Sequence, residues 1–194
     1  MNRARHEEMG LAGGHYRPLR PLDVGKMADT ALDVLERSGV AVYSPEAFLI
    51  LKRAGANANR KTRVVRFPRS MVEDAIASNP SSVTLCSRNG KCDVTLKGRL
   101  VHYGTGGQAT HVLDLDSGQR RPSRLGDVVL SARLAELLDN IHVFNINVLP
   151  GDIASGPDVD LNCFFHALDN TRKHVMGTIH SETGAAKVAT LAAD

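Results

Sequence analysis

The spacing of apolar positions changes twice along this chain, and each change marks a different kind of element. Between Asp23 and Ser38, Val24, Met27, Ala28, Ala31, Leu32 and Leu35 recur at helical spacing as one continuous apolar stripe. Asp23 is expected at the N-cap, and Gly39 at the left-handed position that ends the helix. Val40–Tyr43 then reads as a short extended run. Ser44 as cap and Pro45 in the first helical position open a second helix, which buries Phe48, Leu51 and Ala54 and stops at Gly55. A strand follows at Arg63–Phe67. Pro68 opens a third helix through Met71, Val72, Ala75 and Ile76, and Asn79-Pro80 ends it.

From Ser82 to Leu115 the period becomes two. Val83–Leu85 and Val94–Leu96 are expected to pair around the Asn89-Gly90 turn. Leu100–Tyr103 and His111–Leu113 are expected to continue them as one small antiparallel sheet. Ser123 is placed as the cap of a long helix carrying Leu125, Val128, Val129, Ala132, Ala135 and Leu138 on one face. Beyond it the pattern alternates: a strand at His142–Val148, the Pro150-Gly151 loop, a helix near Asp158–Asp169, a strand at His174–Ile179, and a helix from near Thr183.

Strand, helix, strand, helix with short links predicts parallel βαβ units. Two such units leave strand edges and apolar surface open, and a complete (β/α)8 barrel takes about 250 residues. The helical pattern through Ala189–Asp194 carries no stop signal. The expected fold class is therefore α/β. An N-terminal helical and antiparallel hairpin region, residues 1–139, leads into the first two βα units of a truncated TIM (β/α)8 barrel, residues 140–194. Residues 1–20, polar and rich in Gly and Arg, are expected to form an arm that packs elsewhere.

Composition narrows the function classes. With 42% hydrophobic and 23% charged residues among 194, the chain has the makeup of a folded protein. It has no Trp and only 4% aromatics, which argues against a base-stacking surface. A net charge of +3, scattered, gives no polyanion partner. Met1–Gly10 lacks an apolar signal region and no window is apolar enough to span a bilayer, so a cytoplasmic protein with no membrane or nucleic-acid partner is expected.

Three cysteines share no C-x-x-C spacing. Cys86 and Cys92 flank the hairpin turn, as a thiol pair or as two small buried side chains, and Cys163 falls on an apolar helical face. The eight histidines show no i, i+4 metal spacing, and no zinc or iron site is expected. Asp116 is explained by the Asp116-Ser117-Gly118 turn, which its short side chain can cap.

Two features could carry chemistry. Gly104-Thr105-Gly106-Gly107 lets backbone N–H groups approach a ligand with no Cβ in the way. Its spacing fits neither dinucleotide nor P-loop patterns, and a sharp turn within a sheet is the structural alternative. Asn145 and Asn147, two apart, share one side of a strand, where an amide pair can orient a polar substrate group or satisfy buried backbone. In a barrel, function sits at the carboxyl ends of the strands, here Leu149, Pro150-Gly151-Asp152, Thr178, His180 and Ser181.

An ordered set of motifs extends this reading. They are Gly13-Gly14-His15-Tyr16-Arg17-Pro18-Leu19, Ala31–Val40, Phe67-Pro68 leading into Val72–Ala75, Asn79-Pro80-Ser81-Ser82, Tyr103-Gly104-Thr105-Gly106, Asp114–Gly118 and Asp169-Asn170-Thr171-Arg172-Lys173. The set resembles the trimethylamine methyltransferase family, from about Gly13 to the end of the chain. The resemblance implies methyl transfer from trimethylamine or a quaternary amine such as a betaine to the cobalt of a corrinoid (cobalamin) carried by a separate partner protein. It implies no cofactor bound directly, a small methylated amine as substrate, and a homo-oligomer when full length. A cationic substrate wants an aromatic face, and Tyr103 beside the glycine loop is the aromatic nominated. The expected substrate-binding set is Tyr103, Gly104, Thr105, Gly106, Gly107, Asn145 and Asn147, with no catalytic residue assigned. The rival reading is a non-catalytic module that binds a ligand or partner through the Gly-rich sheet.

Overall fold

The computed structural model describes residues 11–154 and 156–193. The first half of the expected arm, residues 1–10, lies outside them. In chain order, β1 (Leu11–Ala12) precedes α1 (Pro21–Asp33), a π-helical turn at Val34–Ser38, β2 (Val40–Ala41), α2 (Pro45–Arg53), β3 (Asn57–Asn59), β4 (Val64–Arg66) and α3 (Arg69–Ala77). Then come β5 (Ser82–Leu85), β6 (Val94–Lys97), β7 (Leu100–Val101), β8 (His111–Leu113) and β9 (Arg120–Pro122). The chain goes on through α4 (Leu125–Leu137), β10 (Val143–Asn145), α5 (Gly156–Asn170), β11 (His174–Met176) and α6 (Glu182–Ala193). Two compact units result, Gly14–Ser81 and the remainder. Among the described residues no helix is long and apolar enough to cross a membrane.

In the Gly14–Ser81 unit, β4 lies between β2 and β3, both antiparallel to it. Val65 at its centre is fully buried with Phe48 and Ala56. Helix α1 begins two residues earlier than the apolar stripe indicates, because Pro21 supplies the fixed φ of a first turn. Arg20 is the N-cap residue, and Asp23, inside the first turn, accepts its guanidinium at 2.7 and 3.0 Å. Asp23 is therefore not the cap. The stripe forms a helix but buries no residue fully, and Val24 and Met27 are exposed. Ser44 does cap α2, accepting the Ala47 N–H at 3.3 Å, and Phe48 is buried, whereas Ala54 is exposed. Gly39 has φ +73°, and a Cβ there would land on the Val65 carbonyl.

The second unit corrects the expected antiparallel sheet. Strands β5 and β6 do pair, but Asn89-Gly90 is one turn inside a longer loop, which Asp93 closes by accepting Ser87 N and Oγ, both at 2.7 Å. Cys86 is exposed, Cys92 half-buried, and both are free thiols, so neither the pair nor the buried reading holds. Strand β7 pairs with β1 rather than continuing the hairpin, and β8 pairs with β9.

Strands β10 and β11 pair in parallel, with α5 crossing between them, as the alternation predicts. Both are shorter than expected. A third extended segment, residues 104–109, runs along the other edge of β10. Gly104 bridges Val143 and Ala109 bridges Val148, both parallel and with the same offset. Hydrogen bonds from Thr105 N to Val143 O (3.3 Å), Ala109 N to Asn147 O (2.8 Å) and Leu149 N to Ala109 O (2.9 Å) complete the pairing.

Phe144, Ile146 and Val148 face α4 and α5, where they pack with Val128, Ala132, Cys163 and Phe164. Burying a side chain the size of Phe144 stabilises by about 2–3 kcal/mol. Alternation turns Asn145 and Asn147 to the opposite face of the sheet. Helix α4 is apolar on two sides: Val128, Ala132 and Ala135 are buried, while Leu130, Leu134 and Leu137 remain exposed, as does Leu138 just beyond its end.

Candidate functional site

Because residues 104–109, β10 and β11 run in one direction, their carboxyl ends share one edge, here called the mouth. Ser123, fully buried, fastens this end. Its Oγ donates to Leu149 O at 2.6 Å, with Ala109 O at 3.2 Å, and its backbone joins Thr110 and Gly151. It is therefore not the cap of α4. Arg124 takes that position, and Asp127 accepts its N–H at 2.8 Å. Asp152 accepts the Leu125 N–H at 3.0 Å, tying the loop after β10 to the start of α4.

After β11 the chain turns over α5. Asp160, with its side chain wholly buried, accepts His180 N at 2.9 Å and His180 Nδ1 at 2.6 Å. A buried carboxylate without partners would be costly, and His180 supplies two donors. Ser181 Oγ accepts the Gly184 N–H at 2.9 Å, and a Cβ on Gly184 would fall on Asp160 Oδ2. The turn and the carboxylate are thus fitted to each other. His180 Nε2 makes no hydrogen bond among the described residues, and the side chain is 36% exposed. At the carboxyl end of β10's polar face, Asn147 Oδ1 is buried with no partner among the described residues.

The amino ends of the strands are built differently. Lys173 is buried and donates from Nζ to Ala135 O (2.5 Å), Leu138 O (2.7 Å) and Ile141 O (2.5 Å), closing the end of α4. Burial pulls its ammonium below the usual lysine range. Glu136 accepts Thr171 Oγ1 at 2.8 Å and Arg172 Nε at 2.6 Å, and Arg133 donates to Asn170 at 2.8 Å. The Asn170–Lys173 motif is therefore a clamp between α5 and α4, and touches no part of the mouth. Among the described residues one buried atom here lacks a partner, His102 Nδ1, whose ring meets His142 edge-on at 5.2 Å. Desolvation lowers the His142 pKa.

The seven sequence-selected residues do not form one cluster. Tyr103 is exposed and pairs its backbone with His142 at the amino end, O accepting His142 N at 2.8 Å. Gly104 needs its lack of Cβ, since one would sit 3.1 Å from Val143 O. Thr105 Oγ1 donates to Asn145 O at 2.5 Å. A Cβ on Gly106 or Gly107 would meet nothing within 4 Å. Asn147 alone of the set lies toward the mouth. The glycine segment neither turns back nor gathers its N–H groups, since two of its residues pair with β10.

Two larger concavities lie elsewhere. One of about 670 Å3 lies among Cys86, Phe165, Leu168, His174 and Leu191, and another of about 300 Å3 is lined by Tyr43, Ser44, Phe48, Arg60 and Arg63. Neither is lined by a residue with a buried polar atom in want of a partner among the described residues, so the mouth is preferred on chemistry. Among the described residues no group of three or more His, Cys, Asp or Glu is placed to hold a metal.

Sequence reasoning missed Asp160. It lies four residues before Phe164 on the apolar side of α5, and an acidic residue on such a stripe was the available signal.

A parallel sheet backed by helices, with polar groups gathered beyond the carboxyl ends of its strands, is the arrangement on which α/β enzymes build their sites. The family described as trimethylamine methyltransferase (MTTB) matches residues 5–194, and the chain belongs to that family. It is 33% identical over 190 residues to a trimethylamine methyltransferase of Desulfitobacterium hafniense, covering 98% of this chain and 37% of that protein. Enzymes of the same name from Methanosarcina barkeri and Methanosarcina mazei are 32% and 31% identical over 146 residues, covering 74% of this chain and 30% of each relative. The chain thus spans about a third of the length of these relatives.

Proposed function

We propose that this chain is part of a methyltransferase that moves a methyl group from trimethylamine, or from a quaternary amine such as a betaine, to the cobalt of a separate corrinoid protein. The observation that carries the reading is the continuous family match from residue 5 to residue 194. On this reading residues 140–194 supply opening βα units of a (β/α)8 barrel, with residues 104–109 lying on the outer edge of β10. The rest of the relatives' length completes the ring and contributes further groups to the mouth. A cytoplasmic homo-oligomer is part of the proposal.

Direct transfer to an outside acceptor requires that no protein thiolate take the methyl group first. The residues fit this. Cys163, beside Asp160, is buried, and burial pushes its thiol up to about 11, so it stays protonated at neutral pH. The corrinoid protein supplies the nucleophile when it docks. The chain's own work is positioning: Asn147 Oδ1 and His180 Nε2 offer acceptors to the amine at the mouth, whereas Tyr103, at the amino end of the sheet, takes no part there.

The test is to incubate the complete polypeptide with reduced corrinoid protein and either trimethylamine or a betaine. Methyl transfer is followed by the absorbance of the corrinoid. One of the two amines should methylate the cobalt. If neither does while amine binding persists, the non-catalytic binding module takes its place.

A further inference from the structure

We propose that the Asp160–His180 pair is the acceptor for the N–H of a protonated methylamine, so that the mouth selects amines bearing an N–H over quaternary ammonium compounds. The inference rests on the amine reading above and goes beyond it by naming the residues that discriminate.

The chain of reasoning starts at Asp160. Its carboxylate is fully buried and receives two donors, His180 N and His180 Nδ1, at 2.9 and 2.6 Å. An ionised carboxylate only accepts, so Nδ1 must carry a proton. In the neutral ring, Nε2 is then the lone-pair nitrogen. That lone pair has no partner among the described residues, on a side chain 36% exposed at the carboxyl end of β11. Gly184 has no room for a Cβ against Asp160 Oδ2, and Ser181 Oγ holds the same turn through the Gly184 N–H, so the ring is oriented by a fitted support.

A pre-set, outward lone pair suits one kind of ligand group, a single N–H donor. A protonated tertiary amine has one such N–H, and a quaternary ammonium has none. On this proposal Nε2 accepts a hydrogen bond and takes no proton, so the shared proton stays on the amine. The amine nitrogen therefore stays cationic while bound, which keeps it a competent leaving group. No bond is broken by the pair, and its role is binding and orientation. A charge-assisted hydrogen bond of this kind corresponds to roughly tenfold or more in affinity.

The experiment compares trimethylammonium chloride with tetramethylammonium chloride on the 15N-histidine-labelled complete polypeptide at pH 8, reading the two ring nitrogens of His180. Before addition, Nδ1 should appear protonated and Nε2 bare. Trimethylammonium should move Nε2 toward the protonated range saturably, and tetramethylammonium should do so at least tenfold more weakly. Asp160→Asn should release the tautomer and abolish the preference. If that variant fails to fold, the two salts on the unaltered chain still decide. A bare Nδ1, an equal response to both salts or no response to either overturns the inference. Methyl transfer without this selectivity sinks the inference alone, and selectivity without methyl transfer sinks the proposed function alone.

Discussion

At the amino end of the parallel sheet, Lys173 commits all three of its N–H donors to carbonyls of Ala135, Leu138 and Ile141, while Glu136 gathers Thr171 and Arg172. At the carboxyl end of the same strands, His180 Nε2 and Asn147 Oδ1 are left without partners among the described residues. The same three extended segments connect both ends, so the difference is one of chemistry rather than of scaffold. Parallel sheets backed by helices gather their functional groups beyond the carboxyl ends of the strands in this way. His102 Nδ1, buried and unpartnered near the amino end, is the exception. The Asn170–Lys173 part of the family set thus belongs to the stability side.

The largest effect should come from breaking the closed end. Lys173→Met keeps much of the stem but leaves three carbonyls at the end of α4 without a donor, and should cost about 3 kcal/mol. Urea unfolding checks it, and a midpoint unchanged within error would mean that the clamp is ornamental. The amine-induced shift at His180 should survive in whatever fraction stays folded.

Next comes the support of the mouth. Gly184→Ala places a methyl group on Asp160 Oδ2 and should destabilise by about 2 kcal/mol through overpacking. Unlike Lys173→Met, it should also disturb His180, visible as loss of the protonated Nδ1 signal. If stability falls while His180 is unmoved, the Gly184 turn does not orient the ring, and the fitted support is lost from the account.

A smaller effect is set by pH on the β8–β9 hairpin beside the mouth. Asp114 accepts Arg121 Nε at 3.0 Å together with Ser117 N and Oγ, and the Arg121 hydrogen bond leads in holding its carboxyl down at about 2. Asp127, paired with the same guanidinium at 2.8 and 2.9 Å, is also lowered. A depressed folded pKa contributes stability that is present above the unfolded value of 3.8 and lost as pH falls toward 2. Thermal melts should therefore weaken over that window. Arg121→Gln should show a flatter acid profile, and an unchanged one would remove the pair from the account. This carboxylate also shows that Asp114, not Asp116, caps the Ser117-Gly118 turn.

How much of this was legible depended on whether the deciding partner lay nearby in sequence. The β10–α5–β11–α6 alternation was read correctly because short links between periodic runs leave few topologies. Ser44 was read correctly because a cap acts within three residues. Ser123 looked like a cap for the same local reason, yet its hydroxyl reaches Leu149, and no local pattern encodes that. The glycine segment was read between antiparallel neighbours, but its partner is β10, beyond a hairpin and α4. Likewise the stripe on α1 specifies a helix, while burial depends on what covers it. Asp160 was missed because a helical run hides one carboxylate until His180 arrives from another element.

The smallest expected effect bears most directly on the glycine segment. Gly106 and Gly107 sit between the two bridges that fasten residues 104–109 to β10, and neither has a positive φ or a close neighbour for a Cβ. Replacing either by Ala should leave stability within about 0.5 kcal/mol or raise it slightly, because Ala narrows the unfolded ensemble. Gly104→Ala, against Val143 O, should instead cost stability. Urea midpoints for the three variants test the order. The informative case is a Gly106 or Gly107 variant that folds as well as the parent yet loses the amine response at His180. A fold-neutral methyl group can do that only by standing where a ligand must pass or rest, which would place these two glycines on the receptive side of the sheet. If both stability and amine response are untouched, they are open backbone in an edge segment, and recognition narrows to Asn147, Asp160 and His180.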